Sequence, residues 1–286
     1  MSITAFVLII IAAFAHSTWN LLAKRAADCR HLMWFVCVGG TTFLLPATIW
    51  VLRDDWSKIG AKAVVFLLAT GVLHVFYFEA LQRGYRAGDL SVVYPLARGT
   101  GPLLSFCGAI VVLHERPSLL AVGGALLVVG GILLISGGAR IFSGHVGRAG
   151  LFWGAMTGLT IAGYTIVDGY SVKVLLLSPI LVDFAENIFR AVVFTGSAWR
   201  DRVALPAEFR RCWREALGIA LLTPLAYIMV LFAMRIAPVS HIAPAREMSM
   251  MIGAFFGTKL LHEGHAKERM VASLLIASGV AGLVLG

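Results

Sequence analysis

Long apolar runs broken by short basic links set the pattern of this chain. Ten runs are long enough to span a bilayer, at about 3–22, 31–52, 61–82, 89–113, 119–138, 150–172, 177–199, 215–236, 239–261 and 268–286. In lipid every backbone N–H and C=O must be paired inside its own segment, so these runs predict helices and an all-α integral membrane protein. The first run has no basic segment before it and about 20 residues of apolar length, which predicts a spanning helix rather than a cleaved signal peptide.

The pattern repeats. Ala97-Arg98 precedes His114-Glu115 by the same interval that separates Ala245-Arg246 from His262-Glu263. One register shift of about 148 residues aligns both pairs, so the chain divides into halves at 1–139 and 150–286. Each half holds five runs. An odd number forces the second half to enter the membrane from the opposite side. The expectation is ten transmembrane helices as two inverted five-helix repeats, a geometry that lets one central site face either side.

Composition narrows the class. At 59% hydrophobic and 14% charged residues, the chain falls well short of the charge of a soluble domain. The net charge of +9 would suggest nucleic-acid binding in a soluble protein. Here the basic residues sit mostly in the links, as membrane topology requires, so no nucleic-acid partner is expected. Cys29, Cys37, Cys107 and Cys212 form no CxxC pair and predict neither a disulfide framework nor a zinc site. Lys and Arg concentrate in the links after odd-numbered runs, which places both termini outside.

Charges inside the spans are the candidate chemistry, because each costs roughly 3 kcal/mol or more at the bilayer centre. Arg98 and Arg246 are counterparts under the repeat, so if one faces a central space the other should too. Pro95, Gly99, Gly101 and Pro102 are expected to loosen the helix around Arg98. An inter-helix ion pair is the structural alternative. Glu186 and Arg190, four apart, read as a salt bridge on one helix face. Arg246 and Glu247 are neighbours about 100° apart on a helix and should not pair. Trp19 and Asn20 on the first helix, with Tyr164 in the second half, Tyr77 and Tyr94, are candidates for packing a substrate. Trp19 and Tyr164 also fit an interfacial aromatic belt. Glu79, His74 and Glu186 are candidates for carrying a coupled proton.

The corners His114-Glu115-Arg116 and His262-Glu263-Gly264-His265 lack the HExxH spacing of a zinc helix and read as helix caps. No metal or cofactor is expected. Gly123, Gly124, Gly130 and Gly131, with Ser278 and Gly282, form small-residue stripes that read as helix-packing or homodimer faces. No nucleophile–base–orienter pattern or ATP motif emerges, so the chain does not read as an enzyme.

With a Pro-containing fourth helix and an acidic corner, Glu115-Arg116-Pro117-Ser118, leading into a Gly-rich fifth helix, the chain resembles the drug/metabolite transporter superfamily and its EamA-type permeases. The second copy departs, since Glu263 is followed by Gly-His. The resemblance implies two five-helix repeats, both termini in the cytoplasm, and export of a small metabolite. Together with the arginine pair it implies a gradient-driven exporter of an anionic or zwitterionic small molecule, such as an amino acid, in the bacterial inner membrane. The alternatives are a flippase for a lipid-linked sugar and a non-transporting assembly subunit.

Overall fold

The computed structural model describes residues 1–26, 28–87, 90–135, 148–253 and 266–286, and among these it is helical with no strand. The helices are α1 (Ile3–Arg25), α2 (Leu32–Asp55), α3 (Ala61–Ala87), α4 (Leu90–Val112), α5 (Leu119–Ile135), α6 (Arg148–Lys173), α7 (Pro179–Arg200), α8 (Leu205–Ile236), α9 (Val239–Ala245) and α10 (Ala266–Leu285). Each expected run meets one of them, the ninth (239–261) only over 239–245, after which it breaks and its last residues lie outside the described ones. Five helices are long and apolar enough to cross a membrane by length and composition: Ile3–Arg25, Leu32–Lys58, Ala61–Ala87, Arg148–Lys173 and Leu205–Ile236. Helix α7 is long but bears Asp183, Glu186 and Arg190, and these sit with Asn187 at spacings that put all four on one face. That face is turned inward, while Ile188, Val192 and Trp199 on the other are exposed.

The exposed surface is apolar elsewhere too, through Ile11, Phe14, Phe43, Trp50, Leu68 and Phe76, as a lipid-facing belt requires. Inside, α1 packs on α8, α3 on α6, α2 on α7, α4 on α6 and α9, and α5 on α10. The last pair owes its closeness to glycine. A Cβ on Gly124 would lie 2.5 Å from the Gly279 carbonyl oxygen, and one on Gly131 would lie 2.8 Å from that of Ala272. This stripe is therefore an internal packing face. Gly123 and Gly130, one residue away, meet nothing within 4 Å.

Three expectations need correction. Helix α4 runs unbroken through Arg98 despite its flanking prolines and glycines; the break falls on the second copy instead. There α9 ends at Ala245, residues 246 and 247 form a turn, and helix resumes over 248–253. The turn is tightened by i→i+3 bonds, Glu247 N–H to Pro244 O (3.0 Å) and Met250 N–H to Glu247 O (2.9 Å). The second correction concerns the cysteines. Cys29 and Cys212, 183 residues apart, form a disulfide with Cα atoms 6.4 Å apart, tying the link after α1 to α8 at its non-helical residue Cys212. Third, Glu115 caps a helix, but of the opposite half. Its carboxylate accepts the Val239 and Ser240 amides at the start of α9, both at 2.8 Å, and pairs with Lys173 at 3.1 Å. Ser118 caps α5 itself. The Glu263 corner lies outside the described residues.

Candidate functional site

A cavity of about 330 Å³ occupies the middle of the bundle. It extends toward the end where α1 finishes and α2 begins, reaching Asn20, Met33 and Tyr85. At the other end the helices are tied together. Besides the Glu115 contacts, Asp55 accepts the Ser178 amide at 2.7 Å and pairs with Lys58 at 2.6 Å. Burial favours the neutral form of Glu115, but the Ser240 and Val239 amides and Lys173 outweigh it and hold the carboxyl below its ordinary range.

Two charged groups line the cavity. In the first, Glu247, 1% exposed, stands 3.5 Å from Arg98 and 3.5 Å from Arg246. Neighbouring side chains were not expected to pair; the 246–247 turn takes both residues off helical spacing and lets them meet. These pairs are long, and Nε and Nη2 of Arg246 are buried with no hydrogen-bond partner. Arg98 Nη2 donates to His16 Nε2 at 3.1 Å. A guanidinium only donates, so this imidazole nitrogen must be bare. His16 packs edge-on against Trp19.

The second group is carried by the inward face of α7. Glu186 accepts from Arg190 at 2.7 Å on Oε1, as expected, and faces His74 Nε2 at 2.6 Å through Oε2. His74 Nδ1 lies 2.9 Å from the Thr70 carbonyl, which can only accept. The Thr70 hydroxyl stands 3.2 Å from the same nitrogen and can donate to it, so Nδ1 serves as donor in one ring state and acceptor in another. In either state a hydrogen on Nε2 faces the Glu186 carboxylate. Asp168 completes this group, accepting from the Tyr227 hydroxyl. The nearest nitrogen or oxygen atoms of His74, Asp168 and Glu186 lie within 4.8 Å of one another, spacing that could suit a metal. However, two ligands of one tetrahedral ion sit roughly 3 Å or more apart. The 2.6 Å contact is that of a hydrogen bond.

Tyr164 joins the two groups. Its ring stacks on His74 with centroids 4.1 Å apart, and the Arg246 guanidinium carbon lies 5.7 Å from its centroid.

Of the residues singled out from sequence, Arg98, Arg246, Trp19 and Asn20 line the cavity, as do Tyr77, Tyr164, His74 and Glu186. Glu79 does not. Its side chain is 52% exposed and pairs with Arg83 at 2.7 Å, which sets it apart from the buried group around His74. Tyr94 lies on α4, its side chain outside the described residues. Sequence reasoning missed Glu247, Tyr227 and Asp168 as site residues. The repeat held one usable signal, since Tyr227 occupies the place in the second half that Tyr77 occupies in the first.

Among the described residues the protein is an all-helical bundle with an apolar belt and a central charged cavity, an arrangement that membrane transporters share. Residues 3–137 match the profile of the EamA-like transporter family, and this first half of the chain belongs to that family, part of the drug/metabolite transporter superfamily. A comparison with curated proteins finds no match. One solved structure, described only as the crystal structure of a protein, aligns over 100% of this chain and 98% of its own with a TM-score of 0.76. At 16% identity that likeness shows the fold alone, and it extends the fold over both halves.

Proposed function

We propose that this protein is a gradient-driven secondary transporter, an exporter of a small anionic or zwitterionic metabolite such as an amino acid, across the bacterial inner membrane. The observation that carries this reading is Arg246. Its guanidinium faces the cavity with two buried nitrogens that make no hydrogen bond, Nε holding only the long contact to Glu247, and Arg98 stands beside the same Glu247. A carboxylate would satisfy these donors, and Trp19, Tyr77 and Tyr164 offer apolar faces to the rest of the molecule. The coupled proton would reside in the group around His74 and Glu186. The direction rests on the family resemblance.

Alternating access is supported by the helix pairing. A two-fold axis that exchanges α1–α5 with α6–α10 would carry the α1–α8 contact onto α6–α3. It would map α2–α7, α4–α9 and α5–α10 onto themselves. All of these pairs are present, as two inverted repeats require. The cavity opens toward one end, while Glu115 and Asp55 close the other.

The test is thermal stabilisation of the purified protein in detergent by amino acids, organic acids, phosphonates and cationic dyes, since a ligand of the folded form raises the midpoint by mass action. An anionic or zwitterionic compound should shift the native protein and lose its effect in Arg98→Ala and Arg246→Ala. Proteoliposome flux of that compound then measures transport. Stabilisation by cationic dyes alone would overturn the arginine site.

A further inference from the structure

We propose that Asp168 is the residue that loads and releases the coupled proton, and that Glu186 is held permanently as a carboxylate. This rests on the transporter reading above and deepens its proton-bearing group. Glu186 has a cation or donor on each oxygen, Arg190 on Oε1 and His74 on Oε2. With Glu186 held in this way, the hydrogen that faces it is carried by His74 Nε2.

Asp168 is placed differently. It is 0% exposed, it accepts from Tyr227 and faces the Thr70 hydroxyl, and its Oδ1 is buried without a hydrogen-bond partner. A carboxylate oxygen in that position has lost its water and gained nothing, whereas a carboxylic acid with its proton on Oδ1 removes the charge that makes burial costly. The groups facing it are Thr70 and His74 from α3, Glu186 and Asp183 from α7, and Tyr227 from α8. The two acids among them add to the charge a second carboxylate would have to bear. The charged groups from α4 and from the turn after α9 are Arg98, Arg246 and Glu247, which gather at Tyr164, one turn of α6 away.

Release of the proton leaves an Asp168 carboxylate facing the His74 ring. The two acids then compete for one ring. The proton leaves through His74 and Tyr227, which line the cavity. Any movement of His74 toward Asp168 is felt by Tyr164, stacked upon it, and so by Arg246 on the anion side. Proton and anion sites are thereby linked through one aromatic ring.

The experiment is infrared difference spectroscopy of the full chain in lipid, titrated with pH and exchanged into heavy water. The native protein should show the carbonyl stretch of a buried protonated carboxyl that disappears at alkaline pH. Asp168→Asn, which keeps an acceptor for Tyr227, should lose that band, and Glu186→Gln should keep it. Tyr227→Phe should move the band to higher wavenumber by removing its hydrogen bond, a readout that stands even if Asp168→Asn does not fold. A band that survives in Asp168→Asn, vanishes in Glu186→Gln or ignores Tyr227→Phe overturns the assignment. No substrate enters this measurement, so it can fail while the ligand panel succeeds, and the reverse.

Discussion

Replacing Glu247 by glutamine removes one negative charge and almost no volume, so its effect isolates electrostatics. Glu247 is 1% exposed and stands 3.5 Å from each of Arg98 and Arg246. At an effective dielectric constant near 20, one such pair is worth about 5 kcal/mol of Coulomb energy before desolvation is charged against it. Breaking a buried pair by deleting one partner costs about 3–5 kcal/mol, because the other charge stays buried. The lower end applies here, since the contacts are long and Oε2 of Glu247 has no hydrogen-bond partner. A loss of about 3 kcal/mol corresponds to a fall in midpoint on the order of 6 °C for a chain of this size. The assay is thermal unfolding in detergent, native against Glu247→Gln, with and without acetate or phosphate. The same change that destabilises the variant makes the arginine end of the cavity more positive. Anions should therefore stabilise Glu247→Gln more than they stabilise the native protein. A midpoint within 1–2 °C of native, roughly 1 kcal/mol or less, would refute the claim that Glu247 is the counter-ion shared by the two arginines. So would a fall that no anion reverses.

The closed end titrates. The carboxyl of Glu115 lies below its ordinary range, so its contribution is fully present above about pH 4.5 and is lost as pH falls through the depressed value. Glu115→Gln should cost about 2 kcal/mol at pH 7 and flatten the acid limb of the stability–pH curve, read by thermal unfolding across pH 3–7. At the α5–α10 contact, Gly124→Ala puts a methyl 2.5 Å from one backbone oxygen and 2.9 Å from a backbone nitrogen, which can yield only if the helices part. It should cost about 1–3 kcal/mol, while Gly123→Ala, with nothing within 4 Å, should be neutral or slightly stabilising in the same assay.

What the chain reveals by itself follows from how local each cause is. The ten helices are legible because bilayer thickness and backbone pairing act on contiguous residues. The inward face of α7 is legible for the same reason, since Asp183, Glu186, Asn187 and Arg190 share one helical stripe. Arg98 and Arg246 could be paired across 148 residues only because the sequence repeats. Where the halves diverge, that signal fails. The break at Arg246–Glu247 has no counterpart at Arg98, although Arg98 is the one flanked by two prolines and two glycines. The disulfide joins a loop to a kinked helix, and the group of His74, Asp168, Glu186 and Tyr227 draws on four helices; neither spacing nor period relates such residues.

This divergence has a chemical consequence. A strictly symmetric transporter would present the same groups to its substrate from both halves. Here the arginines retain the symmetry, while their common counter-ion, Glu247, comes from the second half alone. His74 belongs to the first half and Asp168 and Glu186 to the second, so the acids lie on one side of the pseudo-axis and the ring they share on the other. Under the proposed alternating access, a rocking of one half against the other would change the distance from His74 to both acids at once. A buried acid whose counter-ion moves cannot keep the same proton affinity. In the proposed transporter, asymmetry in sequence would thus supply what two identical halves would lack, a means for their relative motion to alter the binding of a proton.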